Sequence, residues 1–105
     1  MTDSSYSLKL GDLGHRVTIR YCAQCKWLLR SAWMAQELLS TFEAVLVSVS
    51  LEPVTGGVFE IWTDNNLLWS RKRDGGFPEI PQLKRLVRDA VAPEMFLGHR
   101  NKNNS

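Results

Sequence analysis

The hydrophobic periodicity of the chain changes at Cys22. From Val17 to Cys22, apolar and polar residues alternate, and this period of two predicts a first strand that ends at the cysteine. No Gly or Pro interrupts residues 24–42, where apolar residues recur at steps of three or four, so this stretch is predicted to be a long helix. The apolar stripe consists of Leu28, Ala32, Ala35, Leu39 and Phe42. A strand followed directly by a helix therefore opens the fold.

A second strand is predicted from Val45 to Leu51, because valines dominate this run and alternate with serines over most of its length. Strand, helix and strand at this spacing form a βαβ unit, in which the two strands run parallel and the crossover is right-handed. The Pro and Gly residues of Glu52–Gly57 predict that the second strand ends after Leu51.

Two short β-rich runs follow, Val58–Thr63 and Leu67–Arg71. The segment Asp64–Asn66 separates them, and because Asn and Asp tolerate the left-handed backbone of tight turns, we expect an antiparallel hairpin. Residues 71–78 then form a basic strand end and a glycine-rich turn.

A second helix is predicted after this turn, with Pro81 in its first turn and Pro93 at its end. Its apolar stripe consists of Ile80, Leu83, Leu86, Val87, Ala90 and Val91. The complete order is β-α-β-β-β-α with a mixed four-stranded sheet, and a CxxC motif lies between the first strand and the first helix. This arrangement predicts a thioredoxin-like α/β fold.

Length and composition fit one compact domain. With 105 residues, of which 44% are hydrophobic, the chain is long enough for one core and too short for two ordinary domains. We expect the domain to span residues 15–98. A flexible lead-in is predicted at 1–14 and a disordered tail at 99–105, because Ser, Gly and Asn are frequent there and apolar residues are few.

Charge and hydropathy narrow the classes of partner. The chain has 13 basic and 11 acidic residues, so its net charge of +2 gives no reason to predict nucleic-acid binding. No apolar run reaches 18 residues, and Met1–Ser5 lacks a basic segment followed by an apolar one, so we expect a soluble cytoplasmic protein and no membrane partner. Two cysteines at close spacing also fit a reducing compartment better than a secreted disulfide framework.

Cys22 and Cys25 are the candidate redox pair. Two thiols separated by two residues can close a disulfide ring, and the predicted helix N-terminus together with the adjacent Lys26 favours a thiolate. The alternative is an inert bridge or two buried thiols. A zinc site is a further alternative, but the cysteines supply only half of the ligands, and His15 and His99 are too isolated to complete the usual spacing. No metal site is therefore predicted.

Four segments of the chain form a specific combination: Val17–Cys25, Gly57–Ile61, Trp69–Arg73 and Gly75–Pro78. In this order they resemble the selenoprotein W-like proteins of the Rdx group, and the resemblance covers roughly residues 16–98. It implies a thioredoxin-like fold and a thiol–disulfide oxidoreductase activity. It also implies protein or glutathione disulfides as substrates, glutathione as a candidate reductant and no bound cofactor. Family members that use selenium have selenocysteine at the position of Cys25.

Two arguments disagree about the order in which the cysteines react. In a thioredoxin-like mechanism the exposed first cysteine, Cys22, attacks a substrate disulfide, and Cys25 then resolves the mixed disulfide. The position that carries selenium in the resembled family points instead to Cys25 as the more reactive atom. We expect Cys22 to attack first. The rival function is a non-catalytic interaction module, in which the pair senses redox state or holds a metal.

Three features near the motif are candidates for substrate recognition. Thr55, Gly56 and Gly57 precede the third strand, where thioredoxin-like proteins present backbone to a substrate; a plain turn is the alternative. Trp27 directly follows the motif and either recognises a partner or packs in the helix. The basic run Arg71–Arg73 either contacts an anionic peptide such as glutathione or forms a solvated strand end.

Overall fold

The structure, a computed structural model, describes residues 14–97. This part of the chain contains the strands β1 (His15–Cys22), β2 (Leu46–Val54), β3 (Phe59–Thr63) and β4 (Asn66–Ser70), and the helices α1 (Leu28–Phe42), α2 (Arg71–Asp74) and α3 (Ile80–Val91). Apart from residue 14, the predicted lead-in at 1–14 lies outside the described residues, as does the predicted tail at 99–105.

The four strands form one mixed sheet in the order β2-β1-β3-β4. β1 pairs with β2 in parallel through the crossover helix α1, and with β3 in the antiparallel direction. β3 and β4 form the predicted antiparallel hairpin. The predicted α/β class, the mixed four-stranded sheet and the thioredoxin-like fold are thus confirmed.

The two longer helices cover one face of the sheet. α1 packs on β1 and β2, α3 packs on β3, and the helices also contact each other. The centre of this layer consists of Val17, Ile19, Leu38, Phe42, Phe59, Ile61, Leu83 and Val87, each at most 1% exposed. Burying one such side chain contributes about 1.5–3 kcal/mol to folding, so this layer fixes α1 against the end of β1. Within residues 14–97, no helix is long and apolar enough to cross a membrane.

The opposite face of the sheet is polar. Because side chains alternate along a strand, Arg20 points away from the core that contains Ile19 and Tyr21. Its guanidinium lies 3.4 Å from a carboxylate oxygen of Glu52 on β2 and 3.0 Å from one of Glu60 on β3. Ion pairs across the three strands therefore replace apolar packing on this face.

Helix α1 starts at Leu28, so the predicted start at residue 24 is wrong. Lys26 has a φ of 64°, a left-handed conformation that cannot continue a right-handed helix, and Trp27 is the N-cap. The sequence did not reveal this break, because residues 24–27 contain neither Gly nor Pro, the residues that usually mark the end of a helix. The CxxC motif consequently lies in a turn that precedes the helix.

Strand β2 runs through Pro53 to Val54, three residues beyond the predicted end at Leu51. Pro53 lacks a backbone N–H and is tolerated because β2 is an edge strand, where one side of the backbone needs no partner. The added residues bring Val54 opposite Cys22 in the parallel register. The Thr55–Gly57 loop therefore follows directly beside the end of β1.

The basic run after β4 forms the short helix α2, and the predicted strand end there is wrong. The Ser70 hydroxyl accepts a hydrogen bond from the backbone N–H of Arg73 (3.2 Å), and Asp74 accepts one from the backbone N–H of Ser70 (2.9 Å). This reciprocal capping starts a helical turn immediately after the strand. Helix α3 then begins with Pro81 in its first turn, as predicted.

Candidate functional site

A disulfide joins Cys22, the last residue of β1, to Cys25 in the following turn. Their Cα atoms are 5.3 Å apart, within the ordinary range for a bridged pair. The structure thus confirms that the two cysteines lie at bonding distance. Two residues separate them in the sequence, and a turn of this length brings Cys25 back toward the end of β1.

The turn is held to the sheet by backbone hydrogen bonds. The N–H of Ala23 donates to the carbonyl of Val54 (2.9 Å), which extends the pairing of β1 with β2 by one residue. The N–H of Lys26 donates to the carbonyl of Ala23 (3.1 Å), which closes the turn around Cys25. The backbone that carries the disulfide is therefore also held by hydrogen bonds that do not involve the sulfur atoms.

The two cysteines differ in exposure, in the opposite sense to the expectation. Cys22 is 1% exposed, because it pairs with Val54 within the sheet. Cys25 lies in the turn outside the sheet and is half-buried. The premise that Cys22 is the exposed cysteine is therefore wrong, and Cys25 is the more accessible of the two residues.

The position of the motif relative to the helix also differs from the expectation. The first helical residue, Leu28, comes three residues after Cys25, and the N-cap residue Trp27 makes no side-chain capping bond. The carbonyl of Trp27 instead accepts bonds from the N–H (3.0 Å) and the hydroxyl (2.8 Å) of Ser31. Neither cysteine therefore occupies the helical position expected from the sequence. This matters because the helix dipole acts mainly within the terminal turn of a helix.

Phe77, in the loop between α2 and α3, forms an aromatic cluster next to residues 23–26, the redox turn. Its ring packs edge-to-face on Trp27, with centroids 5.0 Å apart, and on Phe59, with centroids 4.8 Å apart. The loop is tethered by the indole N–H of Trp69, which donates to the carbonyl of Gly76 (3.0 Å). The segment Gly75–Pro78 was among the motifs of the family resemblance, but sequence reasoning gave Phe77 no role.

Two guanidinium groups lie over these rings. Arg30, from the first turn of α1, lies 4.2 Å from the centroid of the Phe77 ring. Arg71, from α2, lies 5.1 Å from the centroid of Trp27 and 6.0 Å from that of Phe77. The structure therefore brings one member of the predicted basic run, Arg71, beside the motif, and Trp27 contacts side chains from outside its own helix. The sequence gave no signal for Arg30.

The recognition candidates Thr55, Gly56 and Gly57 lie in the loop after Val54. Gly56 and Gly57 have φ values of 79° and 73°, and a Cβ added at either would meet no atom within 4 Å. Backbone conformation rather than space therefore requires glycine at both positions. The two glycines also line a cavity of about 160 Å³ together with Phe59, Ser70 and Lys72.

Of the two histidines considered as zinc ligands, His15 does not join the cysteines. His15 lies at the opposite end of β1, about 23 Å from Cys22 at the usual rise of a strand, and its Nδ1 bonds a carboxylate oxygen of Asp64 (2.7 Å). That bond, followed by the N–H of Arg16, lowers the pKa of Asp64. His99 lies outside the described residues. Between residues 14 and 97, no three His, Cys, Asp or Glu side chains group as metal ligands would.

Comparisons with known proteins agree with this architecture. The Rdx family model matches residues 16–89. A crystal structure of a protein from Bordetella parapertussis is 59% identical, and the match covers 74% of this chain and 99% of that one with a TM-score of 0.73. A selenoprotein W-related protein from Vibrio cholerae is 51% identical over 73% of this chain and 96% of its own, with a TM-score of 0.72. No curated protein matches. The chain belongs to the Rdx family.

Proposed function

We propose that this protein is a thiol–disulfide oxidoreductase whose redox pair is Cys22 and Cys25. The observation that carries the proposal is the disulfide between a buried cysteine at the end of β1 and a more accessible cysteine in the next turn. Membership of the Rdx family and the thioredoxin-like fold support it. A bridge at the surface end of an ordered strand can open and close without disturbing the core.

The accessible sulfur is assigned the first step. In the reduced protein, the thiolate of Cys25 attacks a substrate disulfide, forms a mixed disulfide and releases one substrate thiolate, which takes up a proton. The Cys22 thiol then loses its proton and its sulfur attacks Cys25, which releases the second substrate thiolate. The substrate gains two electrons and two protons; the protein supplies both electrons and the Cys22 proton, the solvent returns the proton that Cys25 released on ionising, and the protein is left with the bridge.

Burial decides this order of attack. The attacking sulfur must approach a substrate sulfur, and Cys22 is enclosed by the sheet, whereas Cys25 reaches the surface of the turn. Resolution needs no external access, because Cys22 already lies at bonding distance from Cys25. The proposal therefore reverses the order expected from the sequence.

Glutathione is the proposed reductant, and protein or glutathione disulfides are the proposed substrates. Two glutathione molecules would restore both thiols and leave as glutathione disulfide, which balances the cycle. The use of only two cysteines, both in the CxxC pair, is typical of proteins from a reducing compartment. We therefore place the activity in the cytoplasm.

Trapping experiments on single-cysteine variants test the proposal. Reduced Cys22→Ser and Cys25→Ser proteins are mixed with glutathione disulfide, and the mixed disulfide is measured over time by intact-protein mass spectrometry. Cys22→Ser is expected to form it about tenfold faster than Cys25→Ser, because thiol access controls the exchange rate. Faster trapping in Cys25→Ser would show that Cys22 attacks first.

A titration of the wild type in glutathione buffers tests the function itself. The Cys22–Cys25 bridge is expected to form and open reversibly, and the reduced protein is expected to reduce model disulfides with turnover. A protein that never forms the bridge and purifies with stoichiometric zinc would contradict the proposal and support the metal-holding alternative. Reversible bridging without turnover would instead indicate a redox sensor.

A further inference from the structure

A surface of aromatic and basic side chains adjoins the redox turn, and the mechanism above does not use it. We call it the aromatic–basic surface and define it as Trp27, Arg30, Trp33, Arg71 and Phe77. It begins at the redox pair, because Trp27 follows Cys25 by two residues and packs against Phe77. It continues along α1 through Arg30 to Trp33, one turn further on.

The two guanidinium groups of this surface have no carboxylate partner in the described part of the chain. Arg30 lies over Phe77 and Arg71 over Trp27, and among residues 14–97 neither forms an ion pair with a carboxylate. Nearby Arg73 differs, since it pairs with Asp74 at 2.7 Å. A guanidinium stacked on a ring keeps N–H donors available, and their geometry matches carboxylates. Two such groups over the rings of Phe77 and Trp27, the latter two residues after Cys25, favour an anionic ligand.

Exposed apolar area lies in this surface at Trp33 and next to it at Leu29. Leu29 is 83% exposed and Trp33 is 52% exposed, and the two residues are neighbours on the helix at a spacing of four. A groove of about 260 Å³ adjoins Trp33 and is lined by Arg30, Trp33, Met34, Phe77, Pro78 and Glu79 among others. Contiguous exposed apolar area marks interaction sites, and Trp and Arg dominate the energetics of such sites.

We propose that the aromatic–basic surface docks an acidic segment of a protein substrate. Carboxylates of the segment pair with Arg30 and Arg71, an apolar side chain packs on Trp33, and the substrate disulfide lies against Cys25. This inference rests on the proposed function and names its substrate class: protein disulfides flanked by Asp or Glu.

Charge and extent both favour this occupant. Lys26, Arg30 and Arg71 are cationic, whereas Glu79 is the acidic residue among the groove's lining named above. The exposed side chains of Leu29 and Trp33 extend the contact area beyond the guanidinium pair, so a peptide segment covers the surface more completely than a small anionic disulfide does.

Matched peptides test the charge preference. Two cystine-bridged peptides of equal length carry either Glu or Gln beside the disulfide, and the second-order rate of their reduction by the wild-type protein is measured by rapid quench. The Glu peptide is expected to react roughly tenfold faster at low salt, and high salt should reduce this preference. In Arg30→Gln/Arg71→Gln the preference should fall to about twofold or less. Arg85→Gln, an exposed arginine on α3, is the control and should keep the wild-type preference.

Glutathione disulfide distinguishes a peptide segment from a small anion. Trp33→Ala is expected to lower the rate with the Glu peptide about threefold relative to the rate with glutathione disulfide, because only the peptide reaches Trp33. A Trp33→Ala protein with an unchanged ratio would overturn the assignment to a protein segment. Equal wild-type rates with the Glu and Gln peptides would overturn the inference while leaving the oxidoreductase function intact.

Docking is also measured without chemistry. A Glu peptide with serine in place of both cysteines is titrated into the oxidised protein, and the indole N–H signals are followed by NMR. The signals of Trp27 and Trp33 are expected to shift, whereas that of Trp62, bonded to Glu60 at 3.0 Å, is the internal control. If these shifts are present but the protein reduces no disulfide, the proposed function is rejected and the docking surface is retained. Absence of the shifts would reject the docking surface.

Discussion

Phe77 connects its own loop to two other segments next to the redox turn. It packs on Trp27 before α1, on Phe59 at the start of β3, and under the guanidinium of Arg30. Each aromatic pair contributes about 0.5–1.5 kcal/mol beyond its buried area, and the bond from Trp69 to the loop carbonyl adds roughly 0.5–1.5 kcal/mol. Side chains distant in the chain therefore hold the surface beside Cys25 in one arrangement.

Lys26 is the residue whose backbone stores strain beside the disulfide. Its φ of 64° is disfavoured for a residue with a Cβ by about 1–2 kcal/mol, whereas glycine adopts it freely. Lys26→Gly is expected to raise the free energy of unfolding of the oxidised protein by about 0.5–1 kcal/mol, after the entropy that glycine gains in the unfolded chain is deducted. Urea unfolding measures the change.

The same substitution in a helix should have the opposite sign. Arg85 is exposed in the middle of α3, and Arg85→Gly is expected to lower the free energy of unfolding by about 1 kcal/mol. Destabilisation by Lys26→Gly of similar size would contradict the assignment of strain to Lys26.

Capping bonds determine where several elements begin. Asp74 accepts a hydrogen bond from the backbone N–H of Ser70 and so fixes the start of α2, while Asp64 accepts one from the N–H of Arg16 (3.0 Å) and ties the β3–β4 turn to β1.

The pKa of Asp74 is lowered by its hydrogen bond with Arg73 and then by that with the Ser70 backbone. The pKa of Asp64 is lowered by His15 and then by Arg16. Both carboxylates are thus bonded in their ionised form.

These bonds predict a loss of stability in acid. A carboxylate whose pKa is lower in the folded state contributes stability that is fully present above its ordinary pKa of about 4 and is lost as the pH falls through the folded value. The free energy of unfolding of the wild type should therefore decrease below about pH 4, and Asp64→Asn/Asp74→Asn should decrease less steeply. Urea unfolding between about pH 5 and pH 2 measures both slopes.

Glu94→Gln is the control for this series. Glu94 is exposed and forms no ion pair within residues 14–97, so its removal should leave the acid slope of the wild type. If the free energy of unfolding of the double variant falls as steeply in acid as that of the wild type, these two carboxylates do not cause the loss.

Element types followed from periodicity, whereas several element ends did not. The alternation before Cys22 and the helical period after it predicted the βαβ unit because burial on one face imposes those periods. The predicted stripe of α1 is wrong in part, since Leu28 and Leu39 are exposed and the buried face contains Met34, Leu38 and Phe42. The start of α1 depended on the left-handed backbone of Lys26, and α2 on a reciprocal cap, neither of which leaves a hydropathy signal. The sequence likewise located the cysteine pair but not the packing of Phe77, because that contact joins residues far apart in the chain.

The whole molecule depends on one apolar layer between the sheet and its two longer helices. Leu38 lies at the centre of this layer with no exposed surface, whereas its neighbour Leu39 is 40% exposed on the same helix. Leu38→Ala is expected to lower the free energy of unfolding by about 2–5 kcal/mol, because it removes buried contacts and leaves a cavity.

Leu39→Ala is the matched control, with an expected loss of less than about 1 kcal/mol. Urea unfolding of the oxidised proteins compares the two variants. Equal losses would show that α1 is not packed on the sheet through the face that contains Leu38.

The hydrogen bond from Ala23 to Val54 has an entropic consequence for the redox pair. Closing a ring normally costs conformational freedom, because both ends of the loop must be brought together. Here the Cys22 side is already aligned by the sheet, and the bond from Lys26 to Ala23 has already folded the chain back toward it. Much of the ordering needed for bridge formation is thus completed when the domain folds. Under the proposed activity, the bridge opens and closes by a local exchange of sulfur bonds rather than by a search among loop conformations.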